Sequence, residues 1–170
     1  MRLYDLSKLA VLLVEDNKFM RTTIYQMLYG LGGRKIMQAG DAEQARLYLR
    51  DTSFDLVLMD WELGKPLSGL DLLKEIRKDQ DGNKAMTPVI MLTANSSRVN
   101  VETARDAGVT EFIAKPVSAM KLYEKICVII EDPRQFVKAG DYFGPDRRRH
   151  KDSSYAGPMR RAEDSEITTE

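Results

Sequence analysis

Leu9-Ala10-Val11-Leu12-Leu13-Val14-Glu15-Asp16 is an unbroken apolar run that stops on two carboxylates. A strand with one wet face would alternate apolar and polar residues; this run suits a strand covered on both faces, inside a parallel sheet. Its acidic end then opens on the carboxyl edge of that sheet. The design recurs downstream, where Phe54 to Met59 ends at Asp60 and Pro88 to Leu92 ends at Thr93. Helical patterns alternate with the apolar runs. Met20, Ile24, Met27, Leu28 and Leu31 lie on one face of a helix from Phe19 to Leu31, which Gly32-Gly33 stops. Lys35 to Ala39 is a short second strand, and Asp41 caps a helix carrying Ala42, Ala45, Leu47 and Leu49. After the loop from Lys65 to Gly69, Leu70, Leu72, Leu73 and Ile76 mark the next helix. Val99 to Ala107 forms another, ended by Gly108. Glu111 to Ala114, Lys115-Pro116 and a helix from Ser118 to Ile130, capped by Ser118, complete the series.

Strand and helix thus alternate at short spacing through five units. The pattern predicts an α/β fold: a flavodoxin-like (βα)5, doubly wound parallel sheet in the order 2-1-3-4-5. Beyond Asp132-Pro133 the hydrophobic periodicity is lost, and Gly, Pro, Ser, Arg and Asp dominate to Glu170. The expected organisation is one folded domain, residues 1–132, and a flexible, largely irregular tail, residues 133–170.

Bulk composition narrows the function. With 170 residues and 43% hydrophobic content, the chain can bury one good core, whereas two domains would leave both thin. The 26 basic and 26 acidic side chains cancel, so polyanion binding by the molecule as a whole is excluded and any such role must rest on one segment. Cys127 is the single cysteine and lies in an apolar run, which fits packing and a reducing, cytoplasmic setting. Neither a signal peptide nor an apolar stretch of membrane-spanning length is legible.

In a doubly wound sheet, ligands sit outside the carboxyl ends of the strands. Glu15, Asp16, Asp60, Thr93 and Lys115 therefore converge on one edge: three carboxylates, a hydroxyl and a cation. Three carboxylates held close repel one another unless a divalent cation neutralises them, and hard oxygen ligands suit Mg2+. A flavin phosphate is disfavoured, because Glu15-Asp16-Asn17 would repel it in the loop where hydroxyls and amides are wanted.

Val14-Glu15-Asp16-Asn17, Met59-Asp60-Trp61, Leu92-Thr93-Ala94 and Ala114-Lys115-Pro116 together resemble the CheY-like receiver domain of two-component response regulators, in type, order and spacing, from Leu9 to Ile130. The resemblance implies Glu15 and Asp16 as the Mg2+-binding acidic pair and Asp60 as phosphoacceptor and further metal ligand. It implies Glu62 as the backbone-carbonyl metal contact, Thr93 and Lys115 as phosphoryl-binding groups, and Thr93 with Phe112 as the switch pair. A cis bond before Pro116 is expected on the same ground. The implied function is that of a single-domain response regulator, not an enzyme. It would be phosphorylated on Asp60 by a sensor histidine kinase or phosphotransfer protein and would signal through contacts with a downstream protein. The acidic side chain of Glu62, and Asn95 two residues after Thr93, bear on phosphate lifetime. Trp61 belongs at the pocket rim, and His150, the single histidine, among solvated charges.

The tail holds a repeat. Tyr142-Phe143-Gly144-Pro145-Asp146-Arg147-Arg148-Arg149 is echoed thirteen residues on by Tyr155-Ala156-Gly157-Pro158-Met159-Arg160-Arg161. A Gly-Pro turn would set a tyrosine face beside arginine forks, groups that stack on bases and clamp phosphates. This segment loosely resembles the arginine-rich extensions of CheY-like effectors that bind cyclic di-GMP and act on the flagellar motor, which makes Tyr142, Arg147, Arg148, Arg149, Tyr155, Arg160 and Arg161 a candidate nucleotide-binding tail. A transcription factor is disfavoured, since the roughly 40 residues past the folded domain are too few for a second core and lack a helix-turn-helix pattern. A dehalogenase-type hydrolase would want an aspartate where Glu62 stands.

Overall fold

The computed structural model describes residues 4–64, 66–94 and 97–146. Its elements follow the expected alternation: β1 (Ala10–Val14), α1 (Lys18–Gly30), β2 (Lys35–Ala39), α2 (Ala42–Asp51), β3 (Leu56–Asp60), α3 (Gly69–Arg77), α4 (Gly82–Ala85), β4 (Val89–Thr93), α5 (Arg98–Asp106), β5 (Glu111–Ala114), α6 (Ala119–Glu131), β6 (Phe136–Ala139) and β7 (Tyr142–Pro145). β1 to β5 form one sheet in the order β2-β1-β3-β4-β5, every pairing parallel. The flavodoxin-like order is therefore as predicted.

The unbroken apolar runs explain the layering. Along β1, Leu12 and Val14 face one way and pack with Ala42, Ala45, Leu72, Leu73, Ile76 and Ala104 from α2, α3 and α5. Val11 and Leu13 face the other way, onto Ile24, Leu28, Leu122, Tyr123 and Ile126 of α1 and α6. β1, β3 and β4 are dry on both faces, so these central strands carry no alternation, whereas β2 at the edge is largely exposed. Helix starts are fixed by side-chain caps: Asp41 accepts from the Gln44 amide and Ser118 from the Lys121 amide, as expected, and Asn17 accepts from Met20. Ser68 and Asp71 form a reciprocal capping box on α3.

Two features, a helix and a hairpin, are absent from the periodicity reading. The one-turn helix α4 lies in a polar stretch too short to show a period. The second is more consequential. Residues after Pro133 were expected to be irregular, yet β6 and β7 form an antiparallel hairpin, with Phe136 opposite Pro145 and Ala139 opposite Tyr142. Gly144-Pro145 is accordingly strand, not the turn expected of the Tyr-x-Gly-Pro repeat. Four-residue strands leave almost no pattern, and this pair is held from outside itself. Its backbone lies on the α5–β5 turn so closely that a Cβ on Gly144 would stand 2.7 Å from the Gly108 Cα, and one on Gly108 2.8 Å from the Phe143 carbonyl oxygen. Beneath it, Arg77 is buried: Nε donates to the Gly108 carbonyl, and Nη1 to those of Ala85 and Thr87. The Phe136 ring centroid lies 5.0 Å from the Arg77 Cζ.

Candidate functional site

The carboxyl ends of β1, β3, β4 and β5 bring the expected groups to one edge. Glu15 is 1% exposed and Asp60 6% exposed, while Asp16 reaches solvent. One carboxylate oxygen from each of the three lies within 4.8 Å of the others. Lys115 spans the pocket from the end of β5; its Nζ donates to Asp60 Oδ2 at 2.7 Å and to Glu15 Oε2 at 3.0 Å. The Lys115-Pro116 peptide bond is cis, as expected. The Lys115 amide also donates to the Thr93 carbonyl, which ties the ends of β4 and β5 together.

Electrostatics follow from this crowding. Burial pushes the Glu15 carboxyl above its ordinary value, with the hydrogen bond from Lys115 pulling the other way and the charge of Asp60 adding to the rise. For Lys115, burial favours the neutral amine, but hydrogen bonds to Asp60 and Glu15 outweigh it and hold the ammonium above its ordinary range. One cation is thus shared between two of three clustered carboxylates. A hard divalent cation fits that all-oxygen donor set and its excess of negative charge.

Thr93 is buried at the end of β4. Phe112 is half-buried and packs against the core cluster that holds Val89 and Met91. Trp61 is half-buried against the same cluster, and the Glu62 side chain is exposed and stands outside the carboxylate group. Tyr142 falls in β7, where its hydroxyl donates to the Pro145 carbonyl. Lys65, Asn95, Arg147, Arg148, Arg149, His150, Tyr155, Arg160 and Arg161 lie outside the described residues.

Two residues that shape the pocket were not singled out from the sequence. Gly69, read only as the end of a loop, donates its amide to the Trp61 carbonyl, and a Cβ there would stand 1.9 Å from the Asp60 carbonyl oxygen. No other residue fits unless Asp60 or the start of α3 moves. Arg21 of α1 reaches back, its Nη1 donating to the Glu15 carbonyl at 2.6 Å and to that of Asp16 at 3.4 Å. Its place one helical turn after the acidic pair was the available signal.

Such a carboxylate cluster with a bridging lysine, at the carboxyl edge of a five-stranded parallel sheet, defines a receiver-type site. The response regulator receiver domain family matches residues 11–127, and the chain belongs to that family. It is a signalling receiver rather than a classical enzyme. Among its relatives is the chemotaxis protein CheY-3 of Vibrio cholerae, 36% identical over 121 residues that cover 71% of this chain and 91% of that one. The chemotaxis protein CheY of Pseudomonas aeruginosa is 35% identical over 121 residues, covering 71% and 95%. Among solved structures, the receiver domain of the sensor histidine kinase PA1611 of P. aeruginosa, with a magnesium ion coordinated in its active-site cleft, is 34% identical with a TM-score of 0.61, covering 68% of this chain and 92% of that one. A response regulator receiver protein from Pseudomonas putida matches with 31% identity and a TM-score of 0.62, covering 69% and 94%. No helix among the described residues is long and apolar enough to cross a membrane.

Proposed function

We propose that this chain is a response regulator, acting in the cytoplasm, whose Asp60 accepts a phosphoryl group from the phosphohistidine of a sensor histidine kinase or phosphotransfer protein. The observation that carries this reading is the buried Asp60 carboxylate held against the Lys115 ammonium beside a second and third carboxylate. An Asp60 oxygen bonds to phosphorus as the phosphorus–nitrogen bond to the donor imidazole breaks, leaving an aspartyl phosphate and the imidazole. Mg2+, held by Glu15, Asp16, Asp60 and the Glu62 backbone carbonyl, would neutralise charge on the transferring group. Lys115 does the same from the protein side, already placed 2.7 Å from Asp60. The new dianion offers acceptor oxygens to the Thr93 hydroxyl and to Lys115, and Phe112 repacks as Thr93 moves, changing the surface that a downstream protein reads.

Intact-mass measurement after treatment with acetyl phosphate and Mg2+ tests this. The wild type should gain one phosphoryl group and Asp60→Asn none; an adduct that persists in the variant, or never forms on the folded wild type, overturns the reading.

A second reading, cyclic di-GMP binding by the tail with an output on motility or the flagellar motor, is supported by the Tyr-x-Gly-Pro-x-Arg-Arg repeat alone. Calorimetric titration with the dinucleotide decides it: saturable binding lost on joint replacement of Arg147, Arg148, Arg160 and Arg161 by alanine would establish it, and no binding would remove it.

A further inference from the structure

The acidic pair occupies the loop between β1 and α1, where the Asn17 amide donates to Glu15 Oε1 and Lys115 to Glu15 Oε2. Two observations show what holds the main chain of the pair. Arg21, one turn into α1, folds back along the loop. Its Nη1 makes a short hydrogen bond of 2.6 Å to the main-chain carbonyl of Glu15 and a longer one of 3.4 Å to that of Asp16. The guanidinium then lies against Gly40, just past β2: a Cβ there would come within 3.2 Å of Nη1, 3.6 Å of Cζ and 3.7 Å of Nη2. The absence of a side chain at residue 40 is the space the guanidinium uses. The neighbouring backbone is also tied down, since the Glu15 amide donates to the Ala39 carbonyl and the Gly40 amide to the Gln44 Oε1.

We infer that Arg21, seated against Gly40, is the positioning residue of the carboxylate pocket, setting the divalent-cation affinity of Glu15 and Asp16 through their backbone. This rests on the metal-site reading given above. Holding the peptide carbonyls of two consecutive residues sets the direction in which each Cα–Cβ bond leaves the chain. Both carboxylates are thereby presented to the pocket before any ion arrives, and the cost of gathering them is met in folding instead of in binding. The arrangement is also asymmetric. Lys115 approaches the cluster through side-chain oxygens and competes with an incoming cation for them. Arg21 holds main-chain oxygens and leaves the carboxylates free to bind. A lysine in its place could grip one carbonyl but has no planar fork to lie along Gly40.

Calorimetric titration with Mg2+ alone, on the full chain, tests the inference, with thermal melts in chelator run in parallel. Arg21→Ala should weaken Mg2+ binding by about tenfold, Arg21→Lys should recover part of that loss, and Gly40→Ala should weaken binding by displacing the guanidinium although no carboxylate residue is substituted. An Arg21→Ala protein that melts lower but binds Mg2+ as the wild type does would show a merely structural role and overturn the inference. So would Gly40→Ala with unchanged affinity, a result that stands even if Arg21→Ala fails to fold. Failure of the wild type itself to bind Mg2+ would instead overturn the metal-site reading, which keeps the two outcomes distinct.

Discussion

The two edges of the central sheet both bury charge, and they balance it in opposite ways. At the carboxyl edge, Glu15, Asp16 and Asp60 cluster, and among the described residues one ammonium, that of Lys115, is bonded to Glu15 and Asp60. At the amino edge the ratio is inverted. Glu111, at the start of β5 and 3% exposed, is held by two cations: Lys125 of α6 at 2.6 Å and Arg134, just ahead of the hairpin, at 2.5 Å. Nearby, Arg77 is met by three main-chain carbonyls and capped by Phe136. Buried charge met by fixed partners acts as a clasp, here fastening β6 and β7 to the domain, with Arg77 Nη2 alone of its guanidinium nitrogens left without a hydrogen bond among the described residues. Buried charge left in excess creates a demand for a ligand, and that is where the chemistry is expected.

Mutations at each edge should therefore have different signatures. The largest effect is expected from Arg77→Met, which keeps the bulk but leaves buried carbonyls unpaired and removes the cation under Phe136. Stability in urea should fall by about 4 kcal/mol, with Mg2+ affinity unchanged; a concurrent loss of Mg2+ binding would mean that the two edges are coupled. Gly69→Ala inverts that pattern at the carboxyl edge. With no room beside the Asp60 carbonyl, α3 or the end of β3 must shift, for a loss of about 3 kcal/mol and slower phosphorylation by acetyl phosphate.

Gly144→Ala is a milder probe of the clasp. Its Cβ would force the hairpin off Gly108, at about 2 kcal/mol, with amide exchange rising in β6 and β7 and the phosphorylation rate unaltered. The smallest effect belongs to the α3 capping box. Hydrogen bonds from the Ser68 side chain and backbone hold the Asp71 carboxyl below its ordinary 3.8. A lowered folded value means that the contribution is present above pH 3.8 and is lost as pH falls through the depressed one. Asp71→Ala should cost about 1 kcal/mol at neutral pH and nothing in acid; a difference that persisted in acid would trace the effect to something other than the ionised cap.

What the amino-acid sequence determines by itself is the part of the molecule written in local order. Runs such as Leu9 to Val14 declare strands covered on both faces, because a two-sided core permits no polar residue along them. Asp41 and Ser118 declare helix starts, because a free amide there needs an oxygen. The polar residue that ends each run declares the pocket edge, since parallel strands all finish on the same side. Glu15, Asp16, Asp60, Thr93 and Lys115 were legible for that reason. Only the tertiary structure decides the rest. The hairpin of β6 and β7 has no period of its own and exists through contacts with Gly108, Arg77 and Glu111, residues distant along the chain. Arg77 and Glu111 look in sequence like ordinary solvated charges, and Gly69 and Gly40 like ordinary loop residues. Their roles are to be a partner or to leave a space for some other part of the chain, and a linear pattern carries no record of which distant atom arrives there.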